Sequence, residues 1–283
     1  MKRYILTGTF LSLIAVTVLS TKTLYELHLR TSDLTIPSIS QLAPAFVKGA
    51  SLEFSNIISN YIMLSVLTFM GEKVIHEKNT TPAEWEKIYN ALKVTITLDP
   101  RSSDPFILAT TTLPWEAGMV HETNELLKLA AEHRPNDYRP YFFLWYNYYY
   151  FLTDLEQAAI YLQKAAGIPG APKYLKPLTT RMYLYSGQLE GSLLYTKETL
   201  DNTIDPSMRQ YLLKRLDALK KIHLLEETVK VYQEKYQTRP KSLGELVTAG
   251  LLDSIPDDPY GGQFFITNSG RVYTNSKLVP LKK

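Results

Sequence analysis

A recurring interval constrains this chain more than any other feature. Prolines stand at Pro100, Pro135, Pro169 and Pro206, at intervals of 35, 34 and 37 residues, and the segments between them read as pairs of helices. Between Pro135 and Pro169, Tyr141, Trp145 and Tyr148 fall at i, i+4 and i+7 on one helix, and Ala158, Leu162 and Ala165 repeat that spacing on a second. The second-helix positions recur as Ile88, Leu92 and Thr95 before Pro100, Thr123, Leu127 and Ala130 before Pro135, and Ser192, Thr196 and Thr199 before Pro206. Small residues there let paired helices approach closely. One such pair cannot bury its own apolar face, so the pairs must stack.

Helix-start chemistry agrees with this period. Thr81 with Glu84 around Pro82 predicts a capping box, Thr153 with Glu156 predicts another, and Asp205-Pro206 opens a later helix. From Ser207 to Tyr236, Leu212, Leu216, Leu219, Ile222, Val229 and Tyr232 keep helical spacing, which predicts a long capping helix over 207–236. Lys214, Arg215, Lys220 and Lys221 interleave there with Asp217, Glu226 and Glu227, the pattern of a solvated face.

The stretch YFFLWYNYYYFLTDLEQAAIYLQKAAGIPGAP (141–172) resembles a tetratricopeptide repeat. Tyr141, Trp145 and Tyr148 take the family's first-helix Trp, Gly and Tyr positions, and Ala158, Leu162 and Ala165 its second-helix Ala, Phe and Ala positions. Trp145 departs from the small residue the family favours. The resemblance covers about residues 55–206 and implies a mainly α fold, a TPR-like α-α superhelix, whose first helices line a concave face. Carried onto this chain, the groove-facing positions are Arg139, Phe142, Tyr146, Tyr149 and Tyr150. Tyrosine suits a groove because its ring buries area with few rotatable bonds while its hydroxyl stays hydrogen-bonded. The chain has 20 tyrosines, crowded into this region, more than one helix core can use.

Lys2 and Arg3 precede an uncharged run over 4–21, long enough as a helix to span about 27 Å. This predicts a transmembrane signal-anchor, with a cytoplasmic tip at 1–3 and the bulk of the chain on the far side of the inner membrane, in the periplasm. A cleaved signal with Val18-Leu19-Ser20 as its weak site, and a soluble helix, are the alternatives. Residues 22–54 read as a linker. Ile57 to Met70 is apolar but interrupted by Ser59, Asn60, Ser65 and Thr68, which suits a core helix better than a second span.

Beyond Arg239-Pro240 the pattern changes. Ser242 with Glu245 caps a short helix ending near Gly250, and Gln263–Thr267 with Arg271–Thr274 predicts a hairpin around Asn268-Ser269-Gly270. The segment 236–266 is similar to the carboxyl-terminal part of major-type secretion pseudopilins, through Pro240, Leu243, Leu246, Pro256, Asp258, Pro259, Tyr260 and Gly261, with Arg239 in place of an aromatic. The resemblance implies a small α+β module over 237–283. The prepilin start is absent. Asp253, Asp257 and Asp258 read as turn-forming aspartates, with Ca²⁺ binding as the alternative.

Cys is absent, which excludes disulfides, thiolate metal sites, catalytic thiols and lipid-modified cysteine. A net charge of +3 spread along the chain argues against nucleic acid as a partner. His28, His76, His121, His133 and His223 form no ligand spacing, no nucleophile elbow, phosphate loop or dinucleotide fingerprint occurs, and Glu226-Glu227 face different sides of a helix. The expectation is a membrane-anchored periplasmic scaffold without catalysis, cofactor or small-molecule substrate, which holds segments of other envelope proteins. The alternative is an accessory of a type II secretion or type IV pilus-like machine acting through its carboxyl-terminal module.

Overall fold

The computed structural model describes residues 16, 17, 20–22, 35–276 and 278. Of the run expected to anchor the chain, 4–21, all but residues 16, 17, 20 and 21 lie outside the described residues. Within them the chain is mainly helical: α1 Pro44–Ser51, α2 Ser55–Ile75, α3 Pro82–Leu98, α4 Asp104–Glu116, α5 Val120–His133, α6 Tyr138–Tyr150, α7 Leu155–Gly167, α8 Leu175–Tyr185, α9 Leu189–Asp201, α10 Pro206–Tyr236 and α11 Leu243–Thr248. Strands β1 Phe264–Ile266 and β2 Val272–Thr274 pair antiparallel with Phe264 opposite Thr274, and Gly270 closes their turn at φ +84°. The expected hairpin is therefore present, with both strands shorter than expected.

Two compact units divide the chain between Leu113 and Pro114, inside α4. A proline at that place removes one helical hydrogen bond and crowds the carbonyl four residues earlier.

In the first unit α2 packs on α3. Thr81 caps α3, its hydroxyl accepting from the Glu84 amide at 3.4 Å while Glu84 accepts from the Thr81 amide at 2.8 Å, with Pro82 at the first helical position. Glu84 also meets Lys73 of α2 at 2.7 Å, so one carboxylate closes the cap and ties two helices. Ser59, Ile62, Val66 and Phe69 form the buried stripe of α2, and Ser59 donates to the Thr95 carbonyl across the contact at 3.2 Å. The core-helix expectation holds for this stripe alone. On the opposite side Ile57, Tyr61 and Leu64 are exposed, as are Leu67, Val74 and Ile75. The 32-residue helical stretch Pro44–Ile75 is long and apolar enough to cross a membrane. Ser59 lies on the protein side and Ser65 and Thr68 bond back to carbonyls of their own helix, while Asn56 and Asn60 are exposed beside the outer apolar residues.

In the second unit every helix packs on the next in the chain, from α5 through α10. Nearest-neighbour stacking of this kind is the physics of a repeat array. All twelve second-helix positions of the repeat pattern are buried, Ile88, Leu92 and Thr95 in the first unit and the other nine in the second. Fully burying one of the leucines among them is worth about 1.5–3 kcal/mol. The threonines keep their hydroxyls bonded to carbonyls one turn back, Thr123 to Met119 at 2.6 Å and Thr196 to Ser192 at 2.6 Å. Ser192 instead reaches across to the Thr180 carbonyl of α8 at 2.9 Å.

Three local expectations shift. Asp154, not Thr153, caps α7 and accepts from the Gln157 amide at 3.0 Å, because Thr153 takes a left-handed backbone, φ +53°, to leave α6. Ser242 makes no side-chain cap, and Glu245 is drawn to the Lys241 amide at 3.1 Å. Arg215 does not belong to a solvated face: it is 1% exposed.

The carboxyl-terminal module is packed onto α10. Leu219, Ile222, Leu225 and Val229 of that helix share a core with Leu243, Leu246, Phe264 and Val272. Glu226 of α10 accepts from Arg271 at 2.8 Å and from the Val272 amide at 3.0 Å, and Arg271 also donates to the Gly187 carbonyl at 2.8 Å. Glu227, one residue on, faces solvent and pairs with Lys230.

Candidate functional site

α6 is built almost entirely of rings. Asp137 opens it, accepting from the Arg139 amide at 3.1 Å, and Pro140 falls in the first turn where a missing amide hydrogen costs nothing. Asp137 also pairs with Arg134 at 2.9 Å and Arg139 at 2.7 Å. Burial acts to raise the Asp137 pKa, but the hydrogen bonds from Arg139 and Arg134 outweigh it and hold the carboxyl at about 2. The sign is that of a depressed acid: the contribution is full above the ordinary carboxylate range and is lost only as pH falls toward 2. Arg139 is therefore held at the helix entrance by its neighbour.

The remaining residues expected in the groove fall on one side of α6. Tyr146 and Tyr150 stack at 5.4 Å between ring centroids with planes 12° apart, and Tyr149 stacks on Trp145 at 6.0 Å. Phe142 meets Trp145 at 5.0 Å. Tyr150 is 54% exposed, whereas Phe142, Tyr146 and Tyr149 are half-buried against the core of α6, α7 and α8. Burial first, then the neighbouring Tyr150 phenol, pushes the Tyr146 hydroxyl above the ordinary phenol value, so it stays a hydrogen-bond donor near neutral pH. On the other side, Tyr148 stacks on Tyr161 of α7 at 5.3 Å. Trp145, at the position where a small residue was expected, is buried, and its indole N–H lacks a hydrogen-bond partner.

Two members of the patch were missed. Trp115, 50% exposed, lies 5.5 Å from Tyr150, 6.3 Å from Tyr146 and 4.9 Å from Phe151, the last in edge-to-face contact. A signal was available: Trp115 stands 34 or 35 residues before Tyr149 and Tyr150, one repeat interval. Trp115, Tyr146, Tyr150 and Phe151 thus make a continuous aromatic surface, supported beneath by an Asn147 to Asn124 hydrogen bond of 2.8 Å that joins α6 to α5.

No comparable chemistry gathers at the acidic groups. Asp258 accepts from the Thr274 hydroxyl and, at 2.8 Å, from the Tyr260 amide, as a turn aspartate does, while Asp253 and Asp257 are exposed. Among the described residues no three His, Asp or Glu side chains come together as a metal set. A cleft of about 470 Å³ beside Glu190, His223, Glu226, Lys230 and Arg271 has mixed charge, with Glu226 and Arg271 already paired to each other.

No protein-family model matches the chain, and a search of curated proteins found no match.

Proposed function

We propose that this chain is a membrane-associated, non-catalytic helical-repeat scaffold of the tetratricopeptide kind, which holds a segment of another envelope protein on its aromatic surface. The observation that carries this reading is the Trp115, Tyr146, Tyr150 and Phe151 patch, in which two of the largest side chains are half exposed and stacked on rigid neighbours. Exposed rings ordered before binding lose little conformational freedom on contact, which is what makes aromatic anchors effective. The partner's complementary feature is an apolar or proline-bearing segment laid across the rings, with polar groups reaching the phenol hydroxyls. Placement of the bulk of the chain in the periplasm, behind an inner-membrane anchor, is part of the same proposal.

The carboxyl-terminal module serves in this reading as the cover of the array. Its apolar residues are committed to α10, which favours a cap over the alternative of a secretion or pilus accessory working through that module.

A photo-crosslinking phenylalanine analogue placed at Tyr150 in living cells tests the proposal. The expected product is one discrete adduct to an envelope protein, reduced at least tenfold by Trp115→Ala in a chain that keeps its helical circular dichroism. Absence of any adduct, or an adduct indifferent to Trp115→Ala, removes the aromatic surface from the account.

A further inference from the structure

Arg215, midway along α10, is the largest fully buried side chain of the described residues. Its Nε and Nη2 have no hydrogen-bond partner, and the same holds for the buried Nε of Arg181 on α8 and the buried hydroxyl of Tyr260 in the carboxyl-terminal module. Four donors from three separate elements are therefore withdrawn from water and unused. Arg215 keeps one side-chain hydrogen bond, with Tyr211 of its own helix, and Tyr260 and Arg181 also act on it. Among the described residues no carboxylate forms an ion pair with either guanidinium: Asp258, beside Tyr260, accepts instead from Thr274 and the Tyr260 amide, and Asp217 is exposed and bonded to Lys221 at 2.9 Å. Lys214 adds a further cation, its Nζ 4.8 Å from the centre of the Tyr260 ring.

An arginine does not lose its proton at any ordinary pH, although burial acts to lower its pKa. Two guanidiniums that share a region with no acid paired to either repel each other, and an unpaired buried charge is among the costliest features a fold can carry. An anion reverses both terms. A carboxylate would leave one positive charge over. A tetrahedral dianion matches the two guanidinium charges and has enough acceptors for all four unused donors, and Arg recognises phosphate oxygens through its planar fork.

We propose that Arg181, Arg215 and Tyr260, with Lys214 at their edge, form a binding site for a phosphate group that ties α8, α10 and the carboxyl-terminal module together. This site is independent of the aromatic surface. The group can arrive as a free phosphomonoester or as a lipid headgroup, which share the same recognition chemistry.

The test uses the full chain in non-ionic detergent, titrated with inorganic phosphate and, separately, with short-chain phosphatidic acid, and read by thermal melting and ³¹P line width. Saturating phosphate raises Tm by about 5 °C or more, with chloride at equal ionic strength as the control. Arg215→Met melts higher than the parent without phosphate, because it removes the uncompensated charge, and loses the phosphate shift altogether. Tyr260→Phe, which keeps the packing, binds phosphate about tenfold more weakly. Phosphatidic acid binding at least tenfold tighter than phosphate assigns the site to a lipid; equal affinity assigns it to a soluble phosphate. An absent phosphate shift in the parent, or an equal shift in Arg215→Met, overturns the proposal. Should Arg215→Met fail to fold, undiminished binding by Tyr260→Phe overturns it instead.

Discussion

Gly191 shows how one residue sets the spacing of two helices. A Cβ placed there would come within 2.9 Å of Cδ1 and 3.3 Å of Cε1 of Tyr183, a ring that is itself buried between α8 and α9. Alanine gains about 0.5–1 kcal/mol of helix preference over glycine, whereas overpacking a fixed ring costs about 1–3 kcal/mol. The second term wins. Gly191→Ala should therefore lower stability by about 1 kcal/mol, seen as a fall of about 2–4 °C in Tm, and a rise in Tm would show that the ring yields freely. At this scale the sequence was legible where spacing alone governs. Ala158, Leu162 and Ala165 were readable as core because i, i+4 and i+7 fall on one face whatever surrounds them. Arg215 was not: it sits among Lys214, Asp217, Lys220 and Lys221 in sequence, and the groups that act on it include Arg181 and Tyr260, distant along the chain.

Among the described elements, α2 covers one apolar stripe and leaves another exposed. Its inner stripe, Ile62, Val66 and Phe69, is covered by protein, and its outer stripe, Ile57, Tyr61 and Leu64, is not. An apolar stripe on each side calls for cover on both, and the helical stretch Pro44–Ile75 is long enough to cross a bilayer. Because the chain has no cysteine, single nitroxide labels can be placed cleanly. In chain reconstituted into vesicles, a label at Leu64→Cys should be accessible to oxygen and shielded from a water-soluble nickel reagent, and one at Glu86→Cys on α3 should show the reverse. Equal accessibility at both positions would sink a lipid-facing role for α2. From sequence alone this element suits a core helix, and composition carries no record of which side a neighbour occupies. The aromatic surface was legible in half: Tyr146 and Tyr150 came from the resemblance of this unit to a tetratricopeptide repeat, but Trp115 needed the repeat interval to be applied one unit earlier.

At the scale of the whole molecule, the second unit is a chain of neighbour contacts closed by a cap. The cap matters because α10 would otherwise present Leu219, Ile222, Leu225 and Val229 to water. Leu246, fully buried in that shared core, is a sensitive reporter. Leu246→Ala should cost about 2–5 kcal/mol. Hydrogen exchange should then speed together in α10, α11 and the β1–β2 hairpin, since the three share one core. Loss of protection confined to α11 would show that the module is not part of the stack.

The sequence by itself determined the period, the helix pairs, the small residues at their closest approach and the terminal hairpin, because each depends on forces acting within a few residues: helical periodicity, capping hydrogen bonds and turn chemistry. Only the tertiary structure decided that α2 keeps an apolar face uncovered, that Trp115 joins the rings of α6, and that Arg215 is sealed among unused donors. Those outcomes depend on which surfaces meet across long stretches of chain, and burial, unlike periodicity, belongs to the pair of surfaces and to neither alone.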